Sequence, residues 1–194
     1  MNRLYSALPE ALTASVFLIP YLLYCKKKHK TSALHTLLLT VFAVYLSTVY
    51  AIAGLPSVLY VRYQPNLNLT PFLYMFSDRT TSLLNVLLFI PLGFFMPVLW
   101  EKFRKIHRTV LYGFLISCCI EFLQIFTYRA TDINDLITNT LGTLAGFIPG
   151  MVIQKTVRRH LSLSSSVSLH SILAAVFCTM FFWNPLLVWL LLRF

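Results

Sequence analysis

Long apolar stretches separated by short polar connections dominate the chain, at about 8–25, 33–54, 82–100, 109–127, 136–153 and 171–192. A hydrocarbon core of about 30 Å needs roughly 17–25 such residues per helix. The pattern therefore predicts an all-α fold, a polytopic transmembrane helical bundle of about six spans. The first stretch is the weakest, short and interrupted by Pro20. Its basic residues, Lys26, Lys27, Lys28 and Lys30, follow the apolar run rather than precede it, and there is no convincing A-x-A site. It reads as a retained span, not a signal peptide.

The polar connections set an orientation. The segments 26–30, 101–108 and 154–170 hold four, four and three Lys or Arg, eleven of the sixteen in the chain. Such loops stay in the cytoplasm, so both termini are expected outside. The remaining cations are Arg3, Arg62, Arg79, Arg129 and Arg193, and four of the six acids (Glu10, Asp78, Asp132, Asp135) fall on the same outer side. The longest connection, the outer loop 55–81, mixes Leu59, Tyr60, Tyr63, Phe72, Leu73, Tyr74 and Phe76 with Pro56, Pro65 and Pro71. That composition suits either an interfacial segment at headgroup level or a cap over the bundle's outer mouth. The run Ser162–Ser168 reads as a flexible connector, and Asn184–Pro185 as a kink in the last span.

Composition supports the membrane reading: 58% hydrophobic residues, 11% charged and a mean hydropathy of +0.74, where soluble domains carry about a quarter charged residues. The net charge of +10 comes from clusters between apolar runs, so no nucleic-acid partner is expected. Cys25, Cys118, Cys119 and Cys178 lie in or beside apolar runs without zinc-type spacing, and the histidines have no metal partner in sequence. No metal site is expected.

Within the spans a few polar residues stand out, because an ionised group in hydrocarbon is costly and often functional. On a helix, positions three and four apart share a face. Gly113, Ser117, Glu121 and Gln124 form one such stripe, and Asp132, Asp135, Asn139, Gly142 and Gly146 form another. Asp78, Ser82, Asn85 and Phe89 form a third. Each stripe is polar towards the outside and small or apolar towards the cytoplasm. Packed together, the three spans would enclose a polar pocket at outer-leaflet depth, closed below. Asn85, Glu121, Gln124, Arg129, Asp132, Asp135 and Asn139 are the candidate ligand-binding residues. Gly93, Gly113, Ser117, Gly142 and Gly146 are candidates for close helix packing. Plainer readings compete: Asp132 as a helix cap, Asn85 and Asn139 as interhelical hydrogen-bond glue, Glu121 as a structural donor. Arg129 and Arg79 are candidate counter-ions.

The run Phe89-Ile-Pro-Leu-Gly93 preceded by Asn85, then Glu121-x-x-Gln124, Arg129 and Asp132-Ile-Asn-Asp135-Leu-Ile-Thr-Asn139-Thr-Leu-Gly142, resembles the VanZ-like membrane protein family. The likeness covers about residues 33–153. It makes 1–32 an additional N-terminal span and 154–194 a cytoplasmic connector with a C-terminal span. The resemblance implies a multi-pass protein of the bacterial cell membrane, with low-level resistance to teicoplanin and related lipoglycopeptides; it brings no established reaction.

Three readings of function follow. In the first, a non-enzymatic binder engages a lipoglycopeptide, a lipid-linked cell-wall precursor or another membrane lipid. In the second, an intramembrane enzyme modifies an envelope lipid or glycolipid, with Glu121 and Asp135 as catalytic acid and base. A divalent cation at Asp132 and Asp135 belongs to this reading, but nothing else in the sequence supports one, and no cofactor is expected. The third, a small lipid transporter component, has the least support, since no polar stripe reaches the cytoplasmic face.

Overall fold

The computed structural model describes residues 2–72, 79–157 and 167–191. Asp78, the segment Ser162–Ser166 of the serine run, His160 and Arg193 lie outside them, as do Leu73, Tyr74 and Phe76 of the outer loop. Helices account for most of the rest: α1 (Asn2–His29), α2 (Ala33–Ala53), α3 (Arg79–Leu99), α4 (Ile106–Gln124), α5 (Ile133–Val157), α6 (Leu169–Cys178) and α7 (Asn184–Leu191). Two short strands, β1 (Leu67–Asn68) and β2 (Thr131–Asp132), complete the order. Among the described residues, α2, α3, α4, α5 and the continuous run Leu169–Leu187 are long and apolar enough to cross a membrane. The sequence predicts about six spans; the first of them, α1, is an intact helix of 28 residues that contains Pro9 and Pro20 and is not among these five.

The chain divides into two compact units, residues 1–62 with 160–194, and residues 63–159. In the first, α1 packs on α2 and α2 on α6. Ser32 caps α2 by accepting from the His35 amide at 3.2 Å, and Gly54 ends it in the left-handed conformation (φ 63°) that a side chain disfavours. Ala14, Leu18, Leu22, Leu39, Phe42, Leu169 and Ile172 are core residues. The kink expected at Asn184–Pro185 takes the form of a π turn over Thr179–Trp183, between α6 and α7. Pro185 has no N–H for the carbonyl four residues earlier. That carbonyl, Phe181 O, instead accepts from the Val58 amide at 2.9 Å. Asn184 is buried and its Oδ1 accepts from Thr13 Oγ1 on α1.

The second unit holds α3, α4 and α5. Its tightest interface joins α3 and α5, whose backbones meet at glycines. A Cβ on Gly142 would lie 2.3 Å from Val86 O, one on Gly146 1.9 Å from Ile90 O, and one on Gly150 2.6 Å from Phe94 O. From α3, a Cβ on Gly93 would meet Thr143 O at 2.0 Å. These contacts climb both helices in the same direction, so α3 and α5 run parallel in a small-residue groove. Gly113 brings α4 against α5 in the same manner, since its Cβ would lie 2.5 Å from Thr143 Oγ1. All four predicted packing glycines are thus points of close helix approach. Gly150, one further step of the 142–146 spacing, continues the same groove and is not among the residues the sequence reading singled out. Opposite the polar end, Arg104 pairs with Glu101 at 3.0 Å, and Gln154, with its amide oxygen facing Arg104, accepts from Nη2 at 3.1 Å.

Candidate functional site

The polar stripe of α4 is buried and faces that of α5, in which Asn139, Gly142 and Gly146 are buried and Asp132 and Asp135 half-buried. On α4 the buried set is Thr109, Gly113, Ser117, Ile120, Glu121 and Gln124, the predicted stripe extended by one turn at Thr109. On α5 it includes Asn134, Thr138, Asn139, Gly142, Thr143 and Gly146. The helices are antiparallel: Gly113 meets Thr143, and one turn further Ser117 Oγ accepts from Asn139 Nδ2 at 2.9 Å. The next turn on each helix carries Glu121 and Asp135, which brings the two carboxylates to the same height.

Glu121 is 7% exposed. Burying a carboxylate requires compensation, and its Oε2 accepts from the Asp132 amide at 2.8 Å. The Thr131 hydroxyl donates to the Glu121 carbonyl at 3.0 Å, which ties the end of α4 to the start of α5 a second time. Asp132, Asp135 and Arg129 are its charged neighbours. Arg129, on the turn between α4 and α5, therefore sits where a counter-ion to this cluster is needed. Parallel packing of α3 on α5, continued two turns past the Gly142–Val86 contact, brings Arg79 to the height of Asp135.

Asp132 caps α5: its Oδ1 accepts from the Asn134 amide at 2.8 Å and from Asn134 Nδ2 at 2.9 Å. Its Oδ2 accepts from Asn68 Nδ2 at 3.0 Å. Both oxygens are thus held by neutral donors, an arrangement that suits an anchor better than a cation ligand. No group of three or more His, Cys, Asp or Glu is placed to share a metal among the described residues.

Asn68 belongs to a strap that the sequence left between two readings. Residues 64–72 lie along the α4–α5 connection. β1 pairs in parallel with β2, Leu67 opposite Thr131 and Asn68 opposite Asp132. Gln64 N donates to Ile125 O at 3.0 Å, Thr131 N to Asn66 O at 2.8 Å, and Phe72 N to Asn134 Oδ1 at 2.7 Å. Phe72 takes a left-handed conformation (φ 63°), unusual for a bulky residue, and the bond to Asn134 holds it there. This stretch caps the α4–α5 connection, and its apolar side chains Leu67, Leu69 and Phe72 stay exposed. The cap explains two residues missed by the sequence reading, Asn68 and Asn134. The alternation Asn66-Leu-Asn68-Leu was the available signal for an extended strand, and Asp132-Ile-Asn134 for an Asx-type turn.

Asn85, on α3, is partly buried, and Gln124 is 2% exposed. Asp78, the outermost member of the third stripe, lies outside the described residues. Helices α3, α4 and α5 thus contribute Asn85, Glu121, Gln124, Asp135 and Asn139 to one end of one unit. The first turn of α5 adds Asn134, the connecting segment Arg129 and Asp132, and the cap Asn68.

A family model described as VanZ/LLP1 matches residues 33–154. Protein VanZ of Enterococcus faecium is 39% identical over 87 residues, 43% of this chain and 52% of that protein. The chain therefore spans about half the length of this curated relative. No solved structure matches.

Proposed function

Because this chain belongs to the VanZ/LLP1 family and is a multi-pass membrane protein, we propose that it lowers susceptibility to teicoplanin and related lipoglycopeptides at the bacterial cell membrane. The agent of this effect is the polar cluster at the end of α3, α4 and α5, which engages the head of an amphiphilic drug or cell-wall lipid while the tail lies against apolar helix faces. The observation that carries the reading is Glu121: a carboxylate on a membrane-spanning helix, buried and hydrogen-bonded within a cluster roofed by a strap. Positive-inside orientation puts this cluster at the outer leaflet, where lipid-tailed drugs and wall precursors present their heads.

The reading has a direct test. A sensitive bacterium expressing the wild type should gain protection against teicoplanin but not vancomycin, and Glu121→Gln at matched membrane levels should lose it. Equal protection by wild type and mutant would detach the effect from the cluster. The enzymatic alternative draws on one observation, the placing of Glu121 and Asp135 at one height on facing helices. It requires a modified lipid or glycolipid in membranes of expressing cells that is missing with Asp135→Asn. A binder instead gives protection that scales with copy number and leaves no product.

A further inference from the structure

Among the buried amide atoms that the hydrogen bonding of the fold leaves over are one on α5 and one on α3. Asn139 is 4% exposed, and its Nδ2 is committed to Ser117 on α4. Its Oδ1 is buried and has no hydrogen-bond partner among the described residues, and the same holds for Asn85 Nδ2 on α3. The helix packing sets the two asparagines at the same height on neighbouring helices. A Cβ on Gly142 would lie 3.0 Å from Phe89 Cβ, and Asn139 and Asn85 stand one turn before Gly142 and Phe89 on these parallel helices. One atom is an acceptor and the other a donor, yet they do not bond each other. Leaving both unmet costs free energy, so the pair is complementary to a group that donates to Asn139 and accepts from Asn85.

A hydroxyl does both at once. A cation would meet only the Asn139 oxygen and face the Asn85 N–H, whereas an anion would meet only Asn85. Either charge would also add to the cost of burial between apolar helices. We infer that the Asn85–Asn139 pair recognises an uncharged, hydroxyl-bearing head, of the sugar or polyol kind, on the amphiphile that the cluster takes. The inference rests on the binding reading above and narrows it from any polar head to a neutral hydroxylated one. The glycan of a lipoglycopeptide and the head of a membrane glycolipid share this chemistry.

The test uses the full chain in phosphatidylcholine nanodiscs doped with one probe at a time: monoglucosyl-diacylglycerol, its per-O-methylated analogue, phosphatidic acid, or a cationic trimethylammonium diacyl lipid. Probe retained through delipidation is counted by native mass spectrometry. The glucosyl lipid should be held about tenfold over the methylated one, the discrimination expected of one neutral hydrogen bond. Asn85→Leu, close to isosteric, should bring the two to parity. Its melting temperature should stay the same or rise, because the variant removes a buried donor that no protein group satisfies. Equal retention of glucosyl and methylated lipids, as when a water alone bridges the asparagines, overturns the inference. So does a preference for either charged lipid, or an Asn85→Leu variant that melts earlier with its discrimination intact. Displacement of the glucosyl probe by added teicoplanin assigns the drug's glycan to the site, and persistence of the probe assigns a glycolipid. If the cell assay shows no teicoplanin protection but glucosyl discrimination holds, the resistance reading fails and the hydroxyl site stands. The reverse result removes the hydroxyl site alone.

Discussion

Gly146 illustrates how much a single residue constrains this molecule. A methyl group there would sit 1.9 Å from the Ile90 carbonyl oxygen, so α3 and α5 would have to separate. Gly146→Ala is expected to destabilise by about 1–3 kcal/mol as overpacking does, and Gly146→Leu to prevent recovery of folded protein. Thermal unfolding of the purified variants reads both, and a wild-type melting point for Gly146→Leu would refute the packing. Glu121 has the opposite profile. Gln keeps an oxygen that can accept from the Asp132 amide, so Glu121→Gln should insert and melt within a few degrees of wild type while losing function. Glu121→Ala should lose both, as the Asp132 amide is left without its partner. Equal melting of the Ala and Gln variants would show that this bond adds nothing to the fold.

At the scale of elements, the strap over residues 64–72 depends on few bonds. Two ladder residues on each side, the Gln64–Ile125 bond, the Asn68–Asp132 contact and the Phe72–Asn134 bond hold it. Neutral hydrogen bonds contribute about 0.5–1.5 kcal/mol each, so losing one should loosen the strap without unfolding the helices. Asn68→Asp sets a carboxylate against Asp132 and should release it more fully than Asn68→Ala. Limited proteolysis at residues 64–72 should accelerate in the order wild type, Asn68→Ala, Asn68→Asp, with the melting temperature of the bundle little changed. Equal cleavage of all three would show that the Asn68–Asp132 contact does not hold the strap down. The π turn before Pro185 follows the same logic of a displaced hydrogen bond, with the Val58 amide taking the place of the one that proline lacks.

For the whole molecule, charge distribution and cysteine placement lead to a single set of measurements. Cys25 is buried, Cys118 is half-buried and Cys119 and Cys178 are exposed, all as free thiols. Their exposed members lie on the apolar helices α4 and α6, outside the polar cluster, so a cysteine-free chain should retain function. Loss of function there would overturn this view of the thiols. That background also tests topology. A cysteine introduced at Tyr63 should react with an impermeant maleimide on intact cells, and one at Lys102 or Lys155 only after permeabilisation. The inverse pattern would move the polar cluster to the cytoplasmic side and remove the basis for an encounter with external drugs.

Period and composition were enough to establish that this is a helical membrane protein, and the spacing of Gly113, Ser117, Glu121 and Gln124 marked a face that is buried as a unit. Local order is legible because a helix places residues three and four apart together whatever surrounds it, and hydrocarbon penalises polar groups strongly enough to leave a sequence trace. The glycines of α3 and α5 carried a similar trace, since backbones approach closely only where side chains are small. Only tertiary structure decided which of these faces meet, at what register, and where the strap lies. Asn68 and Asp132 are distant in sequence and become partners through a two-residue strand pair too short to leave a period. Asn85 and Asn139 are unremarkable polar residues in the chain. They become an unmet donor and an unmet acceptor only once Ser117 has taken the Asn139 amide and the glycine groove has set the height of α3 against α5.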